Sequence, residues 1–306
     1  MDKVFYNRSS SKSLGWKPSW FGVLNHDDEL VEAIAAWQSD NGITADGLCG
    51  PSTYRRIWTD REVNISKGLS AGSGKAVRRQ PPTRHIVHNG NFYPIDWDVV
   101  LWDKPYGLSS KQGSYYDYSG KEDRNPSFFV NHWDAALSSE SCARILKKRG
   151  ISVHFAIDND GTIYQLLDTQ HAAFHAGSSK WNRASIGVEI TNAFYPKYQK
   201  HYESKGFGPR PVVTDAYVHG NKLEEHLGFY QVQLDAAKAL WKAVSVACDI
   251  PLVYPEDSRG NLDTGVNSEC KSGKFEGFCN HYNLTSRKID CAGLQLDKLI
   301  NEVKNG

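Results

Sequence analysis

The sequence has no apolar run approaching the ~20 residues of a membrane-spanning helix, so none is expected. It also lacks a charge of one sign: 36 Lys and Arg offset 35 Asp and Glu, for a formal net charge of +1. Nothing global therefore draws the chain to nucleic acid or to an anionic membrane. Cysteine is sparse, at positions 49, 142, 248, 270, 279 and 291, with no C-x-x-C pair and no dense framework. That argues against a disulfide scaffold and fits a chain made in a reducing cytoplasm with mostly free thiols. Residues 1–8, MDKVFYNR, lack the apolar stretch of a secretory signal, so work beyond the cytoplasm would need another exit route. No repeat of solenoid length is present.

What is there is an ordinary globular balance, 40% hydrophobic and 23% charged over 306 residues, which suits one large domain or two modest ones. Nine Trp and fifteen Tyr stand out. Their flat faces and polar handles are common on carbohydrate-contacting surfaces, although core filling is the ordinary use of any single one. Residues 66–83, SKGLSAGSGKAVRRQPPT, lose all apolar periodicity and read as a linker between a short N-terminal region, 1–65, and a long C-terminal one, 84–306.

In the N-terminal region, Leu30, Ile34 and Trp37 fall at helical spacing, with Asp27 or Asp28 as cap and Gly42 as stop. Turn chemistry follows in Asp46-Gly47 and Gly50-Pro51, and Ser52 is placed to cap a second helix carrying Tyr54, Ile57 and Trp58. Such a domain is marginal on its own core. Trp37-Gln38, Gly42, Asp46-Gly47, Gly50-Pro51 and Thr53 together resemble the peptidoglycan-binding module of many cell-wall hydrolases. The resemblance covers about 35 residues and implies a small helical wall-binding domain.

The C-terminal region alternates strand and helix patterns, which predicts an α/β domain. Residues 84–88 read as a strand ending at Asn89-Gly90, and 103–127 as a long loop. Phe128-Phe129-Val130 reads as a buried strand ending at Asn131-His132. Ser138 or Ser139 caps a helix that stops at Gly150. Residues 153–157 and 163–167 form a hairpin around Asp158-Asn159-Asp160-Gly161, and 185–190 form a further strand. The stretch from 195 to about 228 is polar and is expected to loop over the surface. Leu234, Ala237, Trp241, Val244 and Cys248 mark one face of a long amphipathic helix, and 294–303 a closing one.

A chemical constellation lies at the end. Cys279 to Gly293 packs His281, Lys288, Asp290 and Cys291 into one loop before a helix. Imidazole, thiolate and carboxylate are all zinc ligands, and three protein ligands with an open fourth position are the signature of a catalytic zinc. His132, at its strand end, is a second imidazole for such a set.

Five segments in order resemble the zinc amidase and peptidoglycan-recognition superfamily, the type 2 N-acetylmuramoyl-L-alanine amidases. They are Phe129-Val130-Asn131-His132, the hairpin from Gly150 to Gln165, His171-Ala172-Ala173-Phe174-His175-Ala176-Gly177, Ser185-Ile186-Gly187-Val188-Glu189-Ile190, and His281 with Lys288-Ile289-Asp290-Cys291. The resemblance spans roughly 125–303. It implies a mixed central sheet flanked by helices, a Zn2+ cofactor, and hydrolysis of the amide between N-acetylmuramic acid and L-alanine of the stem peptide.

Residue by residue, the resemblance implies His132 and His281 as metal ligands, Glu189 as general base and Lys288 as the cation facing the oxyanion. It leaves the third ligand between two neighbours. Spacing from Lys288 selects Asp290. The register of Leu294, Leu296 and Leu299 selects Cys291, which is preferred because a thiolate suits zinc well. His154 and His175 are expected in the cleft wall or around the ligands, and His85 and His88 receive no role. Some relatives carry Tyr where this chain has Val153, which leaves Glu189 the better base. The 91–127 segment has no counterpart in the minimal pattern.

The implied protein is similar to a bacteriophage endolysin. It would be a monomer that waits in the host bacterial cytoplasm and then acts on peptidoglycan, glycan strand and stem peptide alike, without nucleic acid or integral membrane contact. The alternative is a peptidoglycan-recognition protein that binds without cutting.

Overall fold

The computed structural model describes residues 1–69 and 82–305, which divide into an N-terminal and a C-terminal compact unit. The N-terminal unit is helical, with α1 Lys3–Leu14, α2 Asp28–Asp40 and α3 Pro51–Leu69. Asp27 caps α2 by accepting from the Leu30 amide at 3.2 Å, and Leu30 and Ile34 are fully buried as the spacing predicts. No apolar stripe marks α1 in the sequence, because its inward groups include Asn7 and Ser10. Asn7 Nδ2 donates to Gly47 O at 2.9 Å, and its Oδ1 accepts from the Cys49 amide at 2.9 Å.

The Gly-rich turn between α2 and α3 is organised by buried Gln38. Its Nε2 donates to Asp46 Oδ1 at 2.9 Å and lies 3.0 Å from Thr53 Oγ1, while its Oε1 accepts from the Gly47 amide at 2.8 Å. Gly47 has φ +71°, and a Cβ there would lie 2.7 Å from Val31 Cγ1. The Gln, Asp-Gly and Thr of the sequence motif are thus one hydrogen-bonded knot. Residues 70–81 of the expected 66–83 linker lie outside the described residues. Its first residues, to Leu69, continue α3, and Thr83 opens the first strand.

The C-terminal unit is built on a seven-stranded sheet. Its strands are β1 Thr83–His88, β2 Asn91–Leu101, β3 Phe128–Trp133, β4 Phe155–Ile157, β5 Ile163–Gln165, β6 Ser185–Ile190 and β7 Gly277–Asn280. The spatial order is β1-β2-β5-β4-β6-β3-β7. β4, β6, β3 and β7 run parallel, while β1–β2 and β5–β4 are antiparallel hairpins. The start of the 91–127 segment is therefore a sheet strand, β2, which joins β5 in parallel.

Helix α4 Ser139–Arg149 begins in this unit, and α5 Gln231–Cys248 and α6 Leu296–Asn305 lie wholly within it. Ala237, Trp241 and Val244 of α5 are buried, as the periodicity predicts. They share one core with Phe129, Ile186, Val188 and Phe278 of the sheet and Leu296, Leu299 and Ile300 of α6. Trp241 Nε1 donates to Asn131 Oδ1 at 3.1 Å, which ties α5 to β3. Among the described residues, no helix is long and apolar enough to cross a membrane.

The 195–228 stretch corrects an expectation. Its polarity suggests a surface loop, yet Tyr202, Arg210, His226 and Leu227 are buried. The Arg210 guanidinium lies 4.4 Å from the ring centroids of both Tyr202 and Tyr230. It donates to Gly228 O at 2.8 Å, to Thr191 O at 2.9 Å and to Asn159 Oδ1. A buried cation with carbonyl acceptors and two ring faces organises the segment where apolar periodicity is absent.

Candidate metal centre and active site

Parallel strands put their carboxyl ends on one edge of the sheet, where clefts of α/β proteins form. β3 brings His132 to that edge, β6 brings Glu189, and β7 runs directly into His281. His132 pairs with Glu189 across β3 and β6, and Asn131 pairs with Asn280 across β3 and β7. Strand alternation then separates two faces. Phe129, Ile186 and Phe278 enter the core under α5, whereas Phe128, Val130 and Cys279 pack in a second cluster on the opposite face. His132 and Glu189 share the face of Phe128 and Val130.

His132 Nδ1 lies 2.9 Å from His281 Nδ1 and 3.1 Å from Asp290 Oδ2, and His281 Nδ1 lies 3.0 Å from the same oxygen. All three residues are buried. Three donor atoms converging so closely suit a small divalent ion with bonds of about 2.0–2.2 Å to nitrogen and oxygen. Two imidazole nitrogens meeting face to face also need either a proton or a cation between them, which again fits a metal. Among the described residues this is the one group of three such side chains that could hold an ion.

The environment favours a neutral His132 and an ionised Asp290. Burial, then the neighbouring His281, lowers His132 to about 4, against the opposing pull of Asp290. Burial alone would raise the Asp290 carboxyl, but His281 and His132 together hold it well below the usual carboxylate range.

The two third-ligand candidates part company. Asp290 meets both histidines. Cys291 packs in the core with Leu294, Leu296 and Leu299, the very register that made it attractive in the sequence. Burial first, then the charges of Asp290, Glu189 and Asp134, pushes its thiol well above the usual range, away from the thiolate. In this arrangement the register that favoured Cys291 belongs to a core residue, and the adjacent side chain, Asp290, is the one that meets the histidines.

Lys288 is half-buried, and its charge contributes to lowering His132. Its carbonyl accepts from His219 Nε2 at 2.9 Å, so the 195–228 segment braces the loop that carries it. His154 and His175 stand outside the donor set. His154 Nδ1 accepts from the Gly187 amide at 3.1 Å, and its Nε2 donates to His171 O at 3.0 Å. His175 Nδ1 lies 2.9 Å from His132 Nε2, and its Nε2 lies 3.2 Å from Ser185 Oγ. Burial, then His132 and His154, holds His175 well below the usual histidine range. The sequence assigns no function to Ser185 and Gly187. The available signal is their alternation with Glu189, which puts 185, 187 and 189 on one face of β6.

The fold and the buried His–His–Asp set define an α/β protein with a candidate metal centre at the carboxyl edge of its sheet. The N-acetylmuramoyl-L-alanine amidase family matches residues 122–288, and the chain belongs to that family. The matched segment holds His132, Glu189, His281 and Lys288 but ends before Asp290 and Cys291.

Solved structures similar to the chain include the catalytic domain of XlyA, at 17% identity over 68% of this chain and 99% of that one, with TM-score 0.36. An endolysin N-acetylmuramoyl-L-alanine amidase, LysCS from Clostridium intestinale, is 15% identical over 68% and 95%, with TM-score 0.38. AmpDh3 from Pseudomonas aeruginosa, in complex with anhydromuramic pentapeptide, is 17% identical over 64% and 66%, with TM-score 0.39. No curated protein matches the sequence.

Proposed function

We propose that the chain is a zinc-dependent N-acetylmuramoyl-L-alanine amidase that acts as a bacteriophage endolysin, cutting the amide between N-acetylmuramic acid and L-alanine of the stem peptide. The observation that carries the reading is the convergence of His132, His281 and Asp290 beside Glu189, within a chain of this family. Those three residues would hold the ion. A bound zinc supplies Lewis acidity to the scissile carbonyl and makes water acidic enough to react near neutral pH.

The chain's own groups do the rest. Glu189 accepts a proton from the attacking water and returns it to the departing alanine nitrogen. Lys288 offers its ammonium to the carbonyl oxygen as negative charge builds there. The region that ends with α3 at Leu69 is a wall-binding domain, and the region that opens with β1 at Thr83 is the catalytic domain. Tethering would raise the local concentration of the catalytic domain at the wall. The protein is held in the host cytoplasm until release and works as a monomer.

Mass spectrometry of purified peptidoglycan after digestion tests the reaction. The expected products are stem peptides with a free alanine amino terminus and sugar chains that retain the lactyl group. Intact lactyl–alanine bonds after prolonged digestion with zinc-loaded protein would refute the reading.

A further inference from the structure

A histidine ligand must present one ring nitrogen without its proton, and the surroundings of His132 bear on which nitrogen that is. We propose that Ser185 and His175 are positioning residues that fix the tautomer of His132: Nε2 carries the proton, and Nδ1 faces His281 and Asp290 with its lone pair. The inference rests on the metal-centre reading above.

The hydrogen bonds run in one direction. Trp181 O can only accept, and Ser185 Oγ lies 2.7 Å from it, so the single hydroxyl proton of Ser185 goes there. The same Oγ lies 3.2 Å from His175 Nε2 and, with its proton committed, accepts from that nitrogen. A neutral imidazole has one N–H, so His175 Nδ1 is left as an acceptor. His132 Nε2, 2.9 Å away, donates to it. The bare Nδ1 of His132 is then the atom 2.9 Å from His281 Nδ1 and 3.1 Å from Asp290 Oδ2. The His132 and His175 rings meet edge-on, with planes at 87° and centroids 5.2 Å apart, the geometry of a nitrogen-to-nitrogen bond rather than a stack.

Gly187 supplies an independent observation. A Cβ at this position would lie 2.5 Å from His175 Nδ1 and 2.7 Å from its Cε1. The glycine is there for space, and the space is filled by the nitrogen that accepts from His132. One strand, β6, thus provides the anchor at Ser185, the room at Gly187 and the carboxylate at Glu189. Partners of this kind orient metal-ligating histidines, and losing one typically weakens metal binding about 10–100-fold.

The test uses the full chain, stripped of metal, with histidine labelled by 15N. Long-range 1H–15N NMR is expected to find His132 protonated on Nε2. Zinc affinity, read by competition with a chromophoric chelator, is expected to fall about 10–100-fold in His175→Ala. His175→Asn is expected to recover most of it, since Asn Oδ1 can accept from the same N–H. Gly187→Ala removes no polar group yet crowds His175, and is also expected to weaken zinc. Ser185→Ala is expected to leave His132 in mixed tautomers.

His132 protonated on Nδ1 in the wild-type chain overturns the proposal, as does unchanged zinc affinity in both His175→Ala and Gly187→Ala. If the alanine variants fail to fold, the wild-type spectrum still decides. Failure of the wild-type chain to bind zinc, or full binding by His132→Ala, would instead refute the metal centre and leave the tautomer to be judged by the spectrum.

Discussion

Asp290 Oδ2 lies 3.0 Å from His281 Nδ1, on the loop that begins where β7 ends. The next residue, Cys291, turns into the hydrophobic core. One step along the chain separates a carboxylate that meets two histidines from a core thiol, so the two can be told apart by substitution.

Asp290→Asn is expected to lose zinc, because it removes the charge that the two imidazoles hold in place. Cys291→Ser is expected to keep zinc and to lose stability, since a hydroxyl replaces a thiol at a fully buried, apolar position. Elemental analysis of dialysed protein checks the first, and thermal unfolding the second. Zinc loss in Cys291→Ser with retention in Asp290→Asn would reverse the assignment.

Glu189→Gln keeps the side-chain volume and removes the basic oxygen. Turnover is expected to fall about 10²–10⁴-fold with zinc content unchanged, as for loss of a positioned acid–base group. Steady-state kinetics on a soluble muropeptide, alongside metal analysis, measures both. Full turnover would put the base elsewhere.

Lys288→Met should lower kcat by about 10²–10³-fold through lost stabilisation of the carbonyl oxygen, again without zinc loss. A change confined to KM would mean that Lys288 binds substrate in its ground state only.

Arg210→Met is expected to destabilise the protein. It takes from buried Asn159 Oδ1 its guanidinium donor, at about 1–3 kcal/mol for the unpaired oxygen, and leaves the carbonyls of Thr191 and Gly228 with only their second donors, Gln233 and Asn192. Denaturant unfolding measures the loss. An unchanged midpoint would show that the segment 195–228 is held by something other than this cation.

A chain beginning near residue 78 is expected to cleave a small soluble muropeptide at the full-length rate and to bind intact walls more weakly. Pull-down with purified cell walls and kinetics on the soluble substrate separate the two effects. A folded but inactive truncation would make the N-terminal region part of the catalytic architecture.

Periodicity and turn chemistry made much of the framework legible. The alternation at 185–190 and the Asp-Gly turn at 158–161 are local patterns, and local patterns are set by backbone geometry that each segment carries with it. The ordered motifs nominate His132, Glu189, His281 and Lys288 for one site, and the structure brings His132 and His281 together and pairs His132 with Glu189 across neighbouring strands. Helix α1 was not legible, because its inward face carries Asn7 and Ser10, which bond to Gly47 and Cys49 some forty residues further on. The buried Arg210 was hidden for the same reason: charge reads as surface until its carbonyl acceptors are in place.

By itself, then, the sequence determined which residue types reach the edge of the sheet, since strand register and spacing are local properties. Only the tertiary structure set Asp290 against the two histidines and Cys291 in the core, and only it joined Ser185, His175 and His132 in one line of hydrogen bonds. Direction is the reason. Adjacent side chains differ in which way they point, and that is fixed by the packing of β7 and α6 around the loop between them, which no spacing along the chain records.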